Sequence, residues 1–135
     1  LEEAMRLYPP APSLNRQALE DDEVAGVKIA KGATVLVISW LVHRHEKLWD
    51  RPDEFVPERF LPGARESIAR YQYLPFGAGP RVCIGQYFAM QEAVVALACL
   101  CRGLRYEFAG AAAPQPVQKI TVQPEGGLSV RVVRR

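Results

Sequence analysis

Cysteine is scarce and oddly numbered in this 135-residue chain: Cys83, Cys99 and Cys101 follow no framework spacing. That excludes a disulfide-stapled fold and argues against a secreted setting. No apolar run nears the roughly 20 residues needed to span a bilayer; the longest, Ala93 to Cys101, falls well short. Charge of one sign is also lacking. A net charge of +2, with no basic block interleaved with aromatics, excludes a nucleic-acid surface. No segment repeats and none has a disordered composition. What remains is 49% hydrophobic content over a length suited to one core, the profile of an intracellular, cytoplasmic globular piece.

Along the chain, Leu1 to Tyr8 reads as the tail of a helix ended by Pro9-Pro10. Ala11 to Ala18 reads as extended. Val24 to Ile29 and Ala33 to Trp40 are predicted strands of one hairpin turning at Ala30-Lys31-Gly32, with Val35 to Ile38 suited to a buried strand. A short helical piece is predicted over Val42 to Asp50, then a break at Arg51-Pro52-Asp53. Leu61 to Tyr73 is a polar meandering loop. Ile84 to Arg102 is predicted as a helix, apolar on nearly every side and therefore buried all round, with Gly103 stopping it. Leu104 to Phe108 reads as a short strand and Ala109 to Pro116 as a loop. Ile120 to Val122 and Leu128 to Val133 are predicted to pair as a terminal hairpin. The class is α+β.

The most informative residue is Cys83, in the string Phe76-Gly77-Ala78-Gly79-Pro80-Arg81-Val82-Cys83-Ile84-Gly85. A thiol on a glycine-rich loop ahead of a helix meets unpaired N–H groups and partial positive charge, which favour thiolate and suit metal binding. Gly77 and Gly79 permit backbone shapes that a Cβ would block, and Gly85 lets the opening turn lie against something flat. Arg81 can meet an anionic group on the same bound object. Taken singly, Cys83 reads as a buried structural cysteine beside a tight turn. Cys99 and Cys101 stand two apart on the predicted helix and point away from one another, so both are read as packing residues.

The whole string resembles the haem-binding signature of the cytochrome P-450 family, Phe-x-x-Gly-x-Arg-x-Cys-x-Gly, with every fixed position occupied by Phe76, Gly79, Arg81, Cys83 and Gly85. Upstream, Glu3-Ala4-Met5-Arg6 resembles the family's Glu-x-x-Arg motif, and Pro57-Glu58-Arg59-Phe60 its Pro-Glu-Arg-Phe element. Residues three apart share a helix face, so Glu3 and Arg6 can pair, and Arg59 can complete a triad. Removing one member of such a buried set costs about 3–5 kcal/mol. A surface pair of the same residues contributes under about 1 kcal/mol.

The resemblance implies the C-terminal, haem-binding portion of a mainly-α P-450 domain, spanning residues 1–135. Leu1 is not a start methionine, and the Ala/Gly-Gly-x-Asp/Glu-Thr pattern of the family's oxygen-handling helix does not occur. The chain is therefore expected to be a piece of a longer protein and inactive alone. The implied activity is monooxygenation of a hydrophobic substrate, with Cys83 as axial ligand to haem b and the amides of Ile84 to Gln86 donating to its sulfur. Arg81 and Arg16 are expected at the propionates. Phe76, Gly77, Gly79, Ile84 and Gly85 would shape the seat, and His43 would lie at the haem edge or in packing. His45 departs from the acidic residue that relatives often carry there. Ala11, Pro12, Ser13, Leu14, Ile120 and Thr121 would reach the substrate. Arg65, Arg70, Arg102 and Arg105 form either a basic face for a ferredoxin or flavin-type reductase or a plain solvated surface. Two alternatives stand beside this reading: a haem-thiolate peroxygenase or isomerase, and a haem-free piece that self-associates through its apolar helix.

Overall fold

Residues 1–134 are described by a computed structural model with three α-helices, eight short strands and several 3₁₀ turns. The first helix, α1 (Glu2–Leu7), has Glu2 and Glu3 in its first turn and Arg6 in its last, matching the helix dipole, and stops at Tyr8 before the two prolines.

The strands form four separate two-stranded antiparallel sheets, arranged twice in the same nested manner. In the first unit β1 (Leu14–Gln17) pairs with β4 (Thr34–Val37), Leu14 opposite Val37 and Gln17 opposite Thr34. Between them lies a hairpin of β2 (Asp22–Val24) and β3 (Val27–Ile29). Its turn residues, Ala25 and Gly26, have φ of 50° and 81°, the pair of positive values that a tight two-residue hairpin turn requires. The predicted strand Val24 to Ile29 is thus corrected: it contains a turn, and its expected partner pairs instead with the segment after the prolines. Ala30 to Gly32 close the neck of the nest, where the Gly32 amide donates to the Ala18 carbonyl at 2.8 Å and the Ala18 amide to Ala33 at 2.9 Å.

The second unit repeats the plan. Strand β5 (Leu104–Phe108) pairs with β8 (Val130–Arg134), and β6 (Pro116–Gln118) pairs with β7 (Val122–Pro124) inside them. The predicted terminal hairpin therefore does not form between its two segments. Each finds a partner farther upstream, and the Ala109 amide extends the outer ladder to the Ser129 carbonyl at 3.0 Å.

Helix α2 (Ser39–Val42) lies just ahead of the predicted Val42 to Asp50 piece, which is a series of turns. Its start is tied down by the Ser39 hydroxyl donating to the Ala11 carbonyl at 2.8 Å and the Trp40 amide to Pro12 at 3.1 Å. It ends in tighter i to i+3 bonds, the Arg44 amide donating to the Leu41 carbonyl at 3.1 Å and the His45 amide to Val42 at 3.4 Å, while the His43 carbonyl accepts from Arg6.

Helix α3 (Gln86–Cys101) runs almost where predicted, but none of its residues is buried within this chain. Leu36, Val37 and Ile38 are exposed as well, against the expected buried strand. Buried positions gather instead around α1: Glu3, Arg6, Leu7, Ser39, His43, Trp49 and Leu74. Among the described residues no helix is long and apolar enough to cross a membrane.

Candidate functional site

The loop that carries Cys83 is shaped by its own backbone. Gly77 and Gly79 have φ of 76° and 73°, where any side chain would be strained. At Gly77 a Cβ would also stand 3.5 Å from Leu14, so β1 packs directly against the loop. Residues Gly79–Arg81 make a 3₁₀ turn, and the Cys83 amide then donates back to the Phe76 carbonyl at 2.9 Å, closing the loop. The thiol is exposed, contrary to a structural cysteine in a core. It lies three residues ahead of Gln86, the first residue of α3, with Gly85 as the capping position. A Cβ at Gly85 would face the Cys83 sulfur at 3.9 Å. One expectation changes: the Gln86 amide donates to the Cys83 carbonyl at 3.3 Å, so it is engaged with oxygen and not with the sulfur.

Arg81 and Ile84 are exposed beside the thiol, and Phe76 is half-buried. Arg16 projects from β1, with Nη1 donating to the neighbouring Asn15 carbonyl at 2.7 Å. Arg16, Leu14, Leu74 and Ala78 share an open cavity of about 370 Å³, so this arginine stands over the flank of the cysteine loop.

Behind the loop sits the triad. Glu3 accepts two bonds from Arg6, 2.7 Å from Nε and 2.9 Å from Nη2, and a third at 2.8 Å from the Val56 amide. Arg6 also donates to the carbonyls of His43 (2.7 Å), Pro52 (2.6 Å) and Glu54 (2.9 Å), so all five N–H groups of its guanidinium are used. Arg59 approaches Glu3 at 3.4 Å as an ion pair while Nη2 donates to the Arg51 carbonyl at 2.9 Å. Burial alone would raise the Glu3 carboxyl. The Arg6 and Val56 donors and the two guanidinium charges outweigh it and hold the group below its ordinary value.

His43 is fully buried in this cluster, and backbone groups occupy both ring nitrogens: the Arg6 carbonyl lies 3.2 Å from Nδ1, and the Leu74 amide donates to Nε2 at 2.7 Å. The expectation of a cofactor contact is therefore corrected. No polar atom of the ring remains for a propionate, and packing is its place. Burial, with the charges of Arg6 and Arg44 nearby, pushes its pKa down to about 4.

The residues expected to reach a substrate divide. Pro12 and Ser13 line an open, largely apolar cleft of about 430 Å³ together with Leu36, Ile38, Trp40 and Val122. Ala11, Leu14, Ile120 and Thr121 do not line it. Leu14 faces the cysteine loop, Ile120 is fully exposed, and Thr121 accepts from Gln123 at 3.3 Å. The basic face is thinner than expected. Arg65 pairs with Glu2 at 3.1 Å and lies over Phe60 and Tyr73, and Arg105 pairs with Glu107 at 2.6 Å.

Sequence reasoning missed three supports. Trp49 lies under the Arg6 guanidinium at 5.0 Å and donates from Nε1 to the Val42 carbonyl at 3.1 Å. Tyr73 donates to the Glu2 carbonyl at 2.9 Å and rests on Phe60 and His43. Arg44 stacks on Trp40 at 3.7 Å and on Tyr8 at 5.7 Å. Among the described residues no cluster of three or more His, Cys, Asp or Glu could hold a metal ion.

Residues 1–131 match the family described as Cytochrome P-450. The chain is 51% identical over 90 residues to cytochrome P-450 3A27 of Oncorhynchus mykiss, covering 67% of this chain and 17% of that protein. It is 35% identical over 136 residues to cytochrome P-450 4V2 of Homo sapiens, covering 100% of this chain and 26% of the relative. The crystal structure of the cytochrome P-450DA heme domain superposes with a TM-score of 0.91 at 32% identity, covering 99% of this chain and 30% of that one. The chain thus spans less than a third of the length of each.

Proposed function

The chain belongs to the cytochrome P-450 family, and from that premise we propose that it forms the C-terminal, proximal portion of a haem-thiolate monooxygenase with Cys83 as the axial ligand. The observation that carries this is an exposed thiol on a glycine-shaped loop just ahead of the first turn of α3. The residues fit the group: a soft sulfur donor for iron, a loop with no bulk at Gly79, and the cations Arg81 and Arg16 for its carboxylates. When bound through a thiolate, haem supplies the oxygen chemistry, since sulfur's electron density favours O–O cleavage, one atom entering a hydrophobic substrate and the other leaving as water.

The chain's own residues hold and shape. The N-terminal end of α3 presents the exposed Cys83 sulfur for ligation. Phe76, Gly77, Gly79, Ile84 and Gly85 form the seat, while Pro12 and Ser13 present apolar surface that orients substrate and excludes water. Electrons come from an acidic ferredoxin or flavin-type reductase in the cytoplasm, for which, of Arg65, Arg70, Arg102 and Arg105, Arg70 and Arg102 are the two without a carboxylate contact among the described residues. The test is the spectrum of the reduced carbon monoxide adduct of the parent polypeptide. Cys83→Ser removes the thiolate-type Soret band and leaves far-ultraviolet circular dichroism unchanged. A surviving band would overturn the assignment.

The exposure of α3 supports a second reading for the 135 residues alone. Tyr87, Phe88, Val94, Val95, Leu97 and Leu100 are all exposed, an apolar surface of the kind that drives association. On its own the chain self-associates, retains haem weakly and does not turn over.

A further inference from the structure

His43 stands 31 residues before Leu74, yet its ring joins two elements that the thiolate site depends on. The partners dictate its proton. The Leu74 amide can only donate, so Nε2 at 2.7 Å must be the bare, accepting nitrogen. The Arg6 carbonyl can only accept, so Nδ1 at 3.2 Å must carry the hydrogen. Arg6 in turn sends Nη1 to the His43 carbonyl at 2.7 Å, so the tie between α1 and this residue runs both ways.

Leu74 is where the cysteine loop begins. Its carbonyl accepts from the Gly77 amide at 3.2 Å, and the next carbonyl but one, Phe76, accepts from Cys83 at 2.9 Å. The imidazole therefore grips the first peptide of a turn whose other end carries the thiol. A phenyl ring would leave the Leu74 amide and the Arg6 carbonyl buried without partners, and a doubly protonated ring would set a donor against the Leu74 donor.

We propose that His43 is a positioning residue for the Cys83 loop: as the neutral Nδ1–H tautomer it ties the Arg6 carbonyl to the Leu74 amide and so sets the turn that presents the thiol. The inference concerns the loop's shape and rests on the haem reading only for its consequence at the iron.

Two measurements on the parent polypeptide test it. Nitrogen-15 spectra of the His43 ring at neutral pH show a protonated Nδ1 and a bare Nε2. The opposite tautomer, or a fast mixture of the two, overturns the proposal. The second is the alkylation rate of Cys83 by iodoacetamide in haem-free protein, followed by peptide mapping. His43→Phe changes that rate about tenfold or more, the scale of a lost buried hydrogen bond. His43→Gln, which can place an acceptor at the Nε2 position, restores it to within about threefold, whereas His43→Asn, too short to reach Leu74, does not. Equal rates in Phe, Asn and wild-type proteins, or equal loss in Gln and Asn, would sink the idea. Should the Phe variant fail to fold, the tautomer and the Gln–Asn contrast still decide. A wild-type protein with the expected tautomer and no thiolate band would refute the haem reading and leave this one standing.

Discussion

The two halves of the chain invert the usual relation between polarity and burial. Around α1 the most enclosed side chains are charged or polar, Glu3 at 2% exposure and Arg6 and His43 at 0%. From the cysteine loop onward large apolar side chains stand exposed, Ile84 at 101%, Phe88 at 73% and Ile120 at 98%. At Arg6 the first region is complete within itself, because every donor of its guanidinium has an acceptor inside the chain. The second has apolar surface with no counterpart in these residues. A polar cluster holds a local shape only when its hydrogen bonds are saturated, whereas an apolar helix must wait for whatever covers it.

The sharpest way to break this contrast is at its centre. Arg6→Leu leaves the buried Glu3 carboxylate with Arg59 as its one guanidinium and three carbonyls without their donor, and it costs about 3–5 kcal/mol in urea unfolding of the parent polypeptide. A loss below about 1 kcal/mol would mean the cluster behaves as a surface pair.

Acid probes the same region with a smaller effect. His43 faces Arg6 from α1, with Glu3 beyond it, Arg44 from its own segment, and the buried Tyr73 ring. Its pKa falls from 6.5 in the unfolded chain to about 4 in the folded one, so the folded state favours the neutral ring. The stability this confers is fully present above pH 6.5 and is lost as pH falls from there towards about 4, with a total on the order of 3 kcal/mol. Glu3, whose pKa is also lowered, loses its contribution as pH falls below 4.5. Unfolding curves recorded across this range should therefore lose stability before the ordinary carboxylates titrate, and His43→Gln should flatten the upper part of the decline.

The smallest effect on stability lies in the second region. Leu97→Lys with Leu100→Lys alters unfolding of the isolated chain by no more than about 0.5 kcal/mol per site, as surface changes do. The same pair shifts its elution in size-exclusion chromatography towards the monomer. Unchanged elution would place self-association elsewhere.

Helix α3 and strand β5 were legible because each follows from a continuous local pattern, and the bounds of β5 at Leu104 and Phe108 are as predicted. Glu3, Arg6 and Arg59 were legible through motif spacing and resemblance, and they do meet. Strand partners were not. In both nested units a strand pairs past its nearest neighbour, and periodicity carries no information about register between distant segments. The link from His43 to Leu74 was invisible for a related reason: half of it is a backbone amide, which every non-proline residue possesses.

Sequence by itself determined the chemistry available to this protein: one thiol framed by glycines and an arginine, a Glu-x-x-Arg pair, and a helix too apolar to stand in water. Those features depend on residue type and local spacing, which the chain writes directly. Tertiary structure alone decided that backbone groups of distant segments hold both ring nitrogens of His43, and that strands pair across nests. Hydrogen bonds between distant peptides form only where the fold brings a donor to an acceptor and withdraws both from water.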